Sequence, residues 1–167
     1  MKQTGKINRF LTLPVLVGGV VIFAIALFTR LSVGTPYVVL HKLGVLDILP
    51  PVWLVSLIWS LLYVLVGAVS GYLLSCPIGN AVKETFLWRG CTFMVLSVAL
   101  SLVWYTLLFG KFWLLPAWIS LCFGCGCAVF CAVSWRKISK TPAMLIGVFA
   151  LWEISIIFMQ FLIMIST

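Results

Sequence analysis

The chain has 167 residues, 64% of them hydrophobic and only 8% charged, with 11 Lys and Arg against 3 Asp and Glu for a net charge of +8. Soluble domains carry about a quarter charged residues, so this composition excludes one and predicts an all-α integral membrane protein. The cations are dispersed among loops rather than gathered in a motif, so nucleic acid is not expected as a partner.

A bilayer core of about 30 Å takes roughly 20 apolar residues per helix. Five such runs lie between the charges, at about 11–29, 52–74, 91–110, 113–135 and 143–165. They predict a five-transmembrane-helix bundle, one membrane domain over 1–167, with membrane lipid as its surroundings. No internal repeat is evident. The first run follows Lys2, Lys6 and Arg9, but it is long for a signal segment and no A-x-A-like site follows it, so it is read as a retained helix. The loop that follows runs from Arg30 to Pro51 and holds the single histidine, His41, which has no matched Ser or Cys partner. A conventional hydrolase is therefore not expected.

The second run opens with Pro50 and Pro51 and continues through Trp53, Trp59 and Tyr63. At 100° per residue Ser56, Trp59, Tyr63, Gly67 and Ser70 share one stripe, and Ser97, Ser101 and Trp104 share one on the third run. In the fourth run Cys122, Cys125, Cys127 and Cys131 have the wrong spacing for a tetrahedral site and no His or carboxylate beside them, so no metal is expected. Gly124 and Ala128 form a small-xxx-small pair suited to helix packing or a dimer contact. In the fifth run Glu153 and Gln160 lie about 20° apart in phase.

Tryptophans near segment ends, Trp53, Trp88, Trp113 and Trp135, stand where interfacial anchors stand. Trp59 and Trp104 sit roughly 10 Å in from their helix ends, and Trp152 sits near the middle of its run. Taken singly, each of these three is equally a core filler or a lipid-facing ring. Polar atoms in hydrocarbon are expected to face protein or a cavity, and the stripes converge on one half of the bundle. Rings with a few hydroxyl and amide groups suit a flat, largely apolar ligand. The candidate ligand-binding residues are Trp53, Trp59, Tyr63, Ser97, Ser101, Trp104, Trp152, Glu153 and Gln160.

Eight of the 11 cations fall with the N-terminus and the second and fourth loops, leaving Arg30, Lys42 and Lys111 on the other side. The positive-inside bias places the N-terminus in the cytoplasm and the C-terminus outside. Short loops and this bias fit a bacterial cytoplasmic membrane.

The motif PPxWxxxxxWxxLYxxxG, Pro50 to Gly67, resembles the signature of the translocator protein family, also called tryptophan-rich sensory proteins or peripheral benzodiazepine receptors. Tyr37 to Lys42 is similar to that family's first-loop W-Y-x-x-L-x-K-P, and Ala99 to Gly110 to its A-L-N-x-x-W-x-x-x-F-F-G, with Ser101 in place of Asn. In the fifth run Trp152 keeps its spacing to Gln160, which stands where Asn is typical, and Glu153 replaces an apolar residue. The resemblance covers residues 10–165. It implies a compact five-helix bundle, often a homodimer, whose first loop (Tyr37, Leu40, Lys42, Pro50, Pro51) lids a pocket for porphyrin or haem-like tetrapyrroles. It also implies, for bacterial members, light-dependent breakdown of protoporphyrin tied to the positions of Trp59 and Trp152, which would be the photochemical pair here. The sterol-binding sequence at the end of the fifth helix is absent, since neither Tyr nor Lys or Arg follows Gln160. Three readings follow: a receptor or sensor that binds a tetrapyrrole and requires no cofactor, a light-driven porphyrin-degrading protein, and a carrier of porphyrins or other small lipophiles.

Overall fold

The computed structural model describes residues 13–33, 51–76 and 79–166. Within them lie α1 (Leu13–Val33), α2 (Val52–Ser75), α3 (Ala81–Tyr105, continued by a π-helical turn, Thr106–Gly110), α4 (Leu114–Arg136) and α5 (Lys140–Ser166). All five helices are long and apolar enough to cross a bilayer. The molecule is a multi-pass membrane protein, with its large apolar side chains turned outward around the whole bundle.

Local chemistry sets the helix ends. Pro51 stands before α2, where a missing N–H costs nothing, and its carbonyl accepts from Leu54 N and Val55 N at 2.9 and 3.2 Å. Asn80 caps α3, its Oδ1 accepting from Val82 N at 2.9 Å, which is ordinary N-cap behaviour. That cap starts α3 at Ala81 rather than near 91. Its first turns carry Lys83, Glu84 and Arg89, all exposed, and a hydropathy reading stops at those charges although the helix does not. At 1.5 Å per residue a helix of this length outruns a core of about 30 Å, so the charged turns project beyond the hydrocarbon. At the other terminus α1 continues to Val33 rather than stopping near 29. Arg30 therefore belongs to the last turn of α1, not to the loop.

Three pairings carry the bundle: α1 on α2, α3 on α4, and α4 on α5. The contact of α2 with α5 is sparser, so the chain divides into a two-helix pair and a three-helix layer. The α1–α2 pair closes at one end through backbone. A Cβ built on Gly67 would stand 2.2 Å from the Gly18 carbonyl oxygen, and one on Gly71 2.1 Å from that of Pro14. Gly67 and Gly71 form a G-x-x-x-G step of the kind that lets membrane helices touch. On α4, Gly124 and Ala128 are buried between α3 and α5, where a Cβ on Gly124 would lie 3.4 Å from Ser97 O and 3.7 Å from Glu153 Oε1. This pair packs helices of one chain, so it is not a surface for a second copy.

The anchoring tryptophans divide. Trp53, Trp88 and Trp113 are exposed, as interfacial rings are. Trp135 is fully buried, its Nε1 donating to Leu87 O at 3.3 Å. It lies over Gly90, where an added Cβ would come within 2.1 Å of that nitrogen; the missing side chain is what admits the ring.

Three substitutions test this packing by thermal unfolding in mild detergent. Gly67→Ala should lower stability by about 1–3 kcal/mol, the usual cost of overpacking, whereas Gly126→Ala, with open space around it, should leave stability level or slightly raised. Gly90→Ala should displace the Trp135 ring and shift tryptophan emission to longer wavelength, with a loss of similar size.

Candidate functional site

Away from the glycine contacts the α1–α2 pair parts from the three-helix layer, leaving a cavity of about 140 Å³ among α1, α2, the end of α3 and α5. A single water needs roughly 10–15 Å³ on this kind of measure, so the space suits a multi-atom occupant. Its wall is overwhelmingly apolar.

Helix α2 supplies Ser56, Trp59 and Tyr63, spaced so that all three point the same way. Trp59 is the hub. Its ring stacks on Tyr63 at 5.4 Å between centroids and 26° between planes, and on Trp104 at 5.6 Å and 29°. Trp152 meets it edge-on at 6.4 Å and 79°, and Phe149 at 6.1 Å and 78°. Both geometries are favoured for aromatic pairs. Trp59 is 9% exposed, yet its Nε1 has no hydrogen-bond partner among the described residues.

The end of α3 is held by an amide relay. Trp104 Nε1 donates to Gln160 Oε1 at 2.6 Å, and Gln160 Nε2 donates to Leu114 O at 2.8 Å. The bond reaches a carbonyl in the first turn of α4 and so ties three helices at the cavity wall. Tyr105, the last residue before the π turn, and Leu108 and Phe109 within it line the cavity. Tyr105 and Phe109 lie 4.8 Å apart ring to ring. The turn ends at Phe112, whose φ of 59° is left-handed, and Trp113 N closes it by donating to Leu107 O at 3.0 Å.

From α1 comes Arg30. It donates through Nη2 to Ser56 Oγ, is hydrogen-bonded with the Tyr105 side chain, and lines the cavity.

Of the residues expected at a ligand, Trp59, Tyr63, Trp104 and Gln160 line this cavity. The others stand elsewhere. Trp53 points out of the bundle at 67% exposure, because its place one residue into α2 turns it away from the Ser56–Trp59–Tyr63 stripe. Trp152 backs Trp59 without reaching the cavity, and its Nε1 is buried without a partner. Ser97, Ser101 and Glu153 form a separate cluster packed in the core beside α4. Ser101 Oγ lies 3.0 Å from Ser97 O and 2.5 Å from Glu153 Oε1. A hydroxyl has one proton to give, so a carboxyl that supplies its own proton satisfies both contacts at once. Glu153 Oε2 and Ser97 Oγ have no partner. Pro51 starts α2 and is exposed; Tyr37, Leu40, Lys42 and Pro50 lie outside the described residues.

Arg30, Tyr105 and Phe109 are cavity residues that the sequence reading missed. Arg30 carried a usable signal, a charge at the end of an apolar run where intramembrane charges mark function. It was hidden by ending the helix one residue too early. Phe109 carried none, since it lies inside the π turn, which shifts the helical phase; Tyr105 follows Ser101 by four residues on the same stripe and was passed over.

No curated protein and no solved structure matches the chain significantly. A family model, that of the TspO/MBR family, matches residues 10–165. The match takes in all five helices and every residue of the cavity wall. With the Trp-rich second-helix motif and a bundle of five membrane-crossing helices, it establishes that the chain belongs to the TspO/MBR family.

Proposed function

We propose that this protein is a membrane receptor or sensor whose cavity binds a flat tetrapyrrole of the porphyrin or haem type. The observation that carries the reading is Trp59. Its ring joins a continuous aromatic wall, while its buried N–H is unpaired. An unpaired buried donor costs about 1–3 kcal/mol, and a ligand that brings an acceptor to it recovers that cost. Few polar groups on an apolar wall is also the usual make-up of a small-molecule site. The reading includes a cytoplasmic N-terminus in a bacterial membrane, which the charge bias supports for the orientation; Arg30, Trp59 and Gln160 would then lie in the outer half of the membrane.

A second reading rests on the neighbouring indoles. Trp104, Trp59 and Trp152 follow one another at 5.6 and 6.4 Å, which makes a path for electron exchange with an excited porphyrin. The ligand supplies the reactive chemistry and the protein orients it.

Protoporphyrin titrated in the dark should quench tryptophan emission saturably, and Trp59→Phe should weaken binding about tenfold. Non-saturable quenching, identical in both proteins, would sink the pocket. Subsequent illumination separates the two readings. Loss of porphyrin absorbance faster than in detergent alone, and slowed in Trp152→Phe, supports photochemistry, and an unchanged rate leaves a receptor. A further variant probes the wall itself. Gln160→Ala strands the Trp104 indole N–H, at about 1–3 kcal/mol for a buried donor, unties α3 from α4, and should lower both thermal stability and porphyrin affinity.

A further inference from the structure

Arg30 stands on an apolar cavity wall without a carboxylate among the described residues. The chain has three acidic residues, Asp47, Glu84 and Glu153. Glu84 is in the first turn of α3, Glu153 is bound to Ser101, and Asp47 lies outside the described residues. A guanidinium carries five N–H donors in a fixed fork, and its polar neighbours here are the Ser56 hydroxyl and the Tyr105 ring hydroxyl. The Ser56 hydroxyl proton goes to Val52 O at 2.7 Å, which leaves its oxygen free to accept from Arg30. Ser56 thereby aims the guanidinium without neutralising it. The last turn of α1 adds its own bias, since carbonyls at a helix C-terminus favour a cation.

A cation turned onto the wall of a cavity within a helix bundle is a functional-site candidate. We propose that Arg30, steered by Ser56 and flanked by Tyr105, is an anion-recognition corner that selects ligands carrying a singly charged oxyanion on an apolar body. One positive charge balances one carboxylate or one phosphodiester. Two parallel N–H···O bonds to such a group are the strong, directional form of this contact. The apolar body then lies along the Trp59 wall of the same cavity. The inference rests on the ligand pocket proposed above and adds what that pocket discriminates: acids over their neutral esters.

The test uses the full-length protein in maltoside detergent, free of phospholipid, with protoporphyrin and its dimethyl ester as probes of identical ring. The wild type should bind the acid at least about tenfold tighter than the ester. Arg30→Gln should bring the two to parity through a loss of about tenfold in acid affinity, with helix content and unfolding temperature reporting that the variant is folded, and Arg30→Lys should restore part of the preference. Equal binding of acid and ester by the wild type overturns the corner and leaves the pocket standing. A preference that appears only in Asp47→Asn overturns it for the native chain. If neither porphyrin binds but a fluorescent long-chain fatty acid does, in an Arg30-dependent manner, the corner stands and the tetrapyrrole reading falls. If the fatty acid fails as well, both fall. Added phosphatidylglycerol that displaces the acid from wild type, and not the ester from Arg30→Gln, identifies a lipid headgroup as a competing source of the same oxyanion.

Discussion

Inside a bilayer a polar atom has no water to turn to, and the arrangement of this bundle follows from where each such atom finds a partner. Most hydroxyls solve the problem locally: Ser60, Ser70, Thr92 and Ser134 each donate to the carbonyl four residues back. The larger groups reach across helices instead. Trp104, Gln160 and Leu114 O form one chain of bonds, Trp135 and Leu87 O another, and Trp118 donates to Ile157 O at 3.2 Å. Each crossing bond fixes the rotation of one helix against its neighbour. The Trp59 indole N–H is an exception, buried without a partner among the described residues on a ring that lines the cavity.

Small residues determine where that cavity lies. Along the antiparallel α1–α2 pair, Pro14 faces Gly71 and Gly18 faces Gly67 in backbone contact. Toward the other end the facing positions carry Phe23, Ala26 and Arg30 on α1 and Ser60, Ser56 and Val52 on α2, all of which line the cavity. A pair pinned by glycine at one end and kept apart by side chains at the other is a wedge. Its opening meets the π turn of α3, where an extra residue in the helical turn sets Phe109 beside Tyr105 on the cavity wall. The pocket is thus the place where close packing stops, and both features that stop it are local to the chain.

How much of this could be read beforehand differs by residue. Helix number and the Ser56–Trp59–Tyr63 face were legible, because hydrocarbon demands long apolar runs and a helix repeats every 3.6 residues. The start of α3 was not, since its charged first turns look like loop to any hydropathy window. Trp135 looked like an anchor because depth along the chain says nothing about which way a ring faces; its burial depends on Gly90, 45 residues earlier in sequence. The same limit hid the α1–α2 seam. Gly67 and Gly71 are as good a small-residue pair as Gly124 and Ala128, but partner choice is a tertiary fact.

The departures from the family pattern acquire a meaning from their neighbours. Ser101 stands where the resembling motif has Asn, and Glu153 stands where it has an apolar residue; the two side chains touch at 2.5 Å. A shorter hydroxyl on α3 leaves room that a longer carboxyl on α5 fills, so the two changes read as one exchange of a hydrogen-bonding pair. Gln160 replaces a second Asn, and its extra methylene lies on the path from Trp104 to the Leu114 carbonyl. None of these three alterations places a new charge on the cavity wall, because Glu153 stays behind Trp59 and its neighbours in the core. The charge on the wall comes from Arg30. The charge that marks this cavity therefore enters at the end of α1, where a single guanidinium stands on a largely apolar wall.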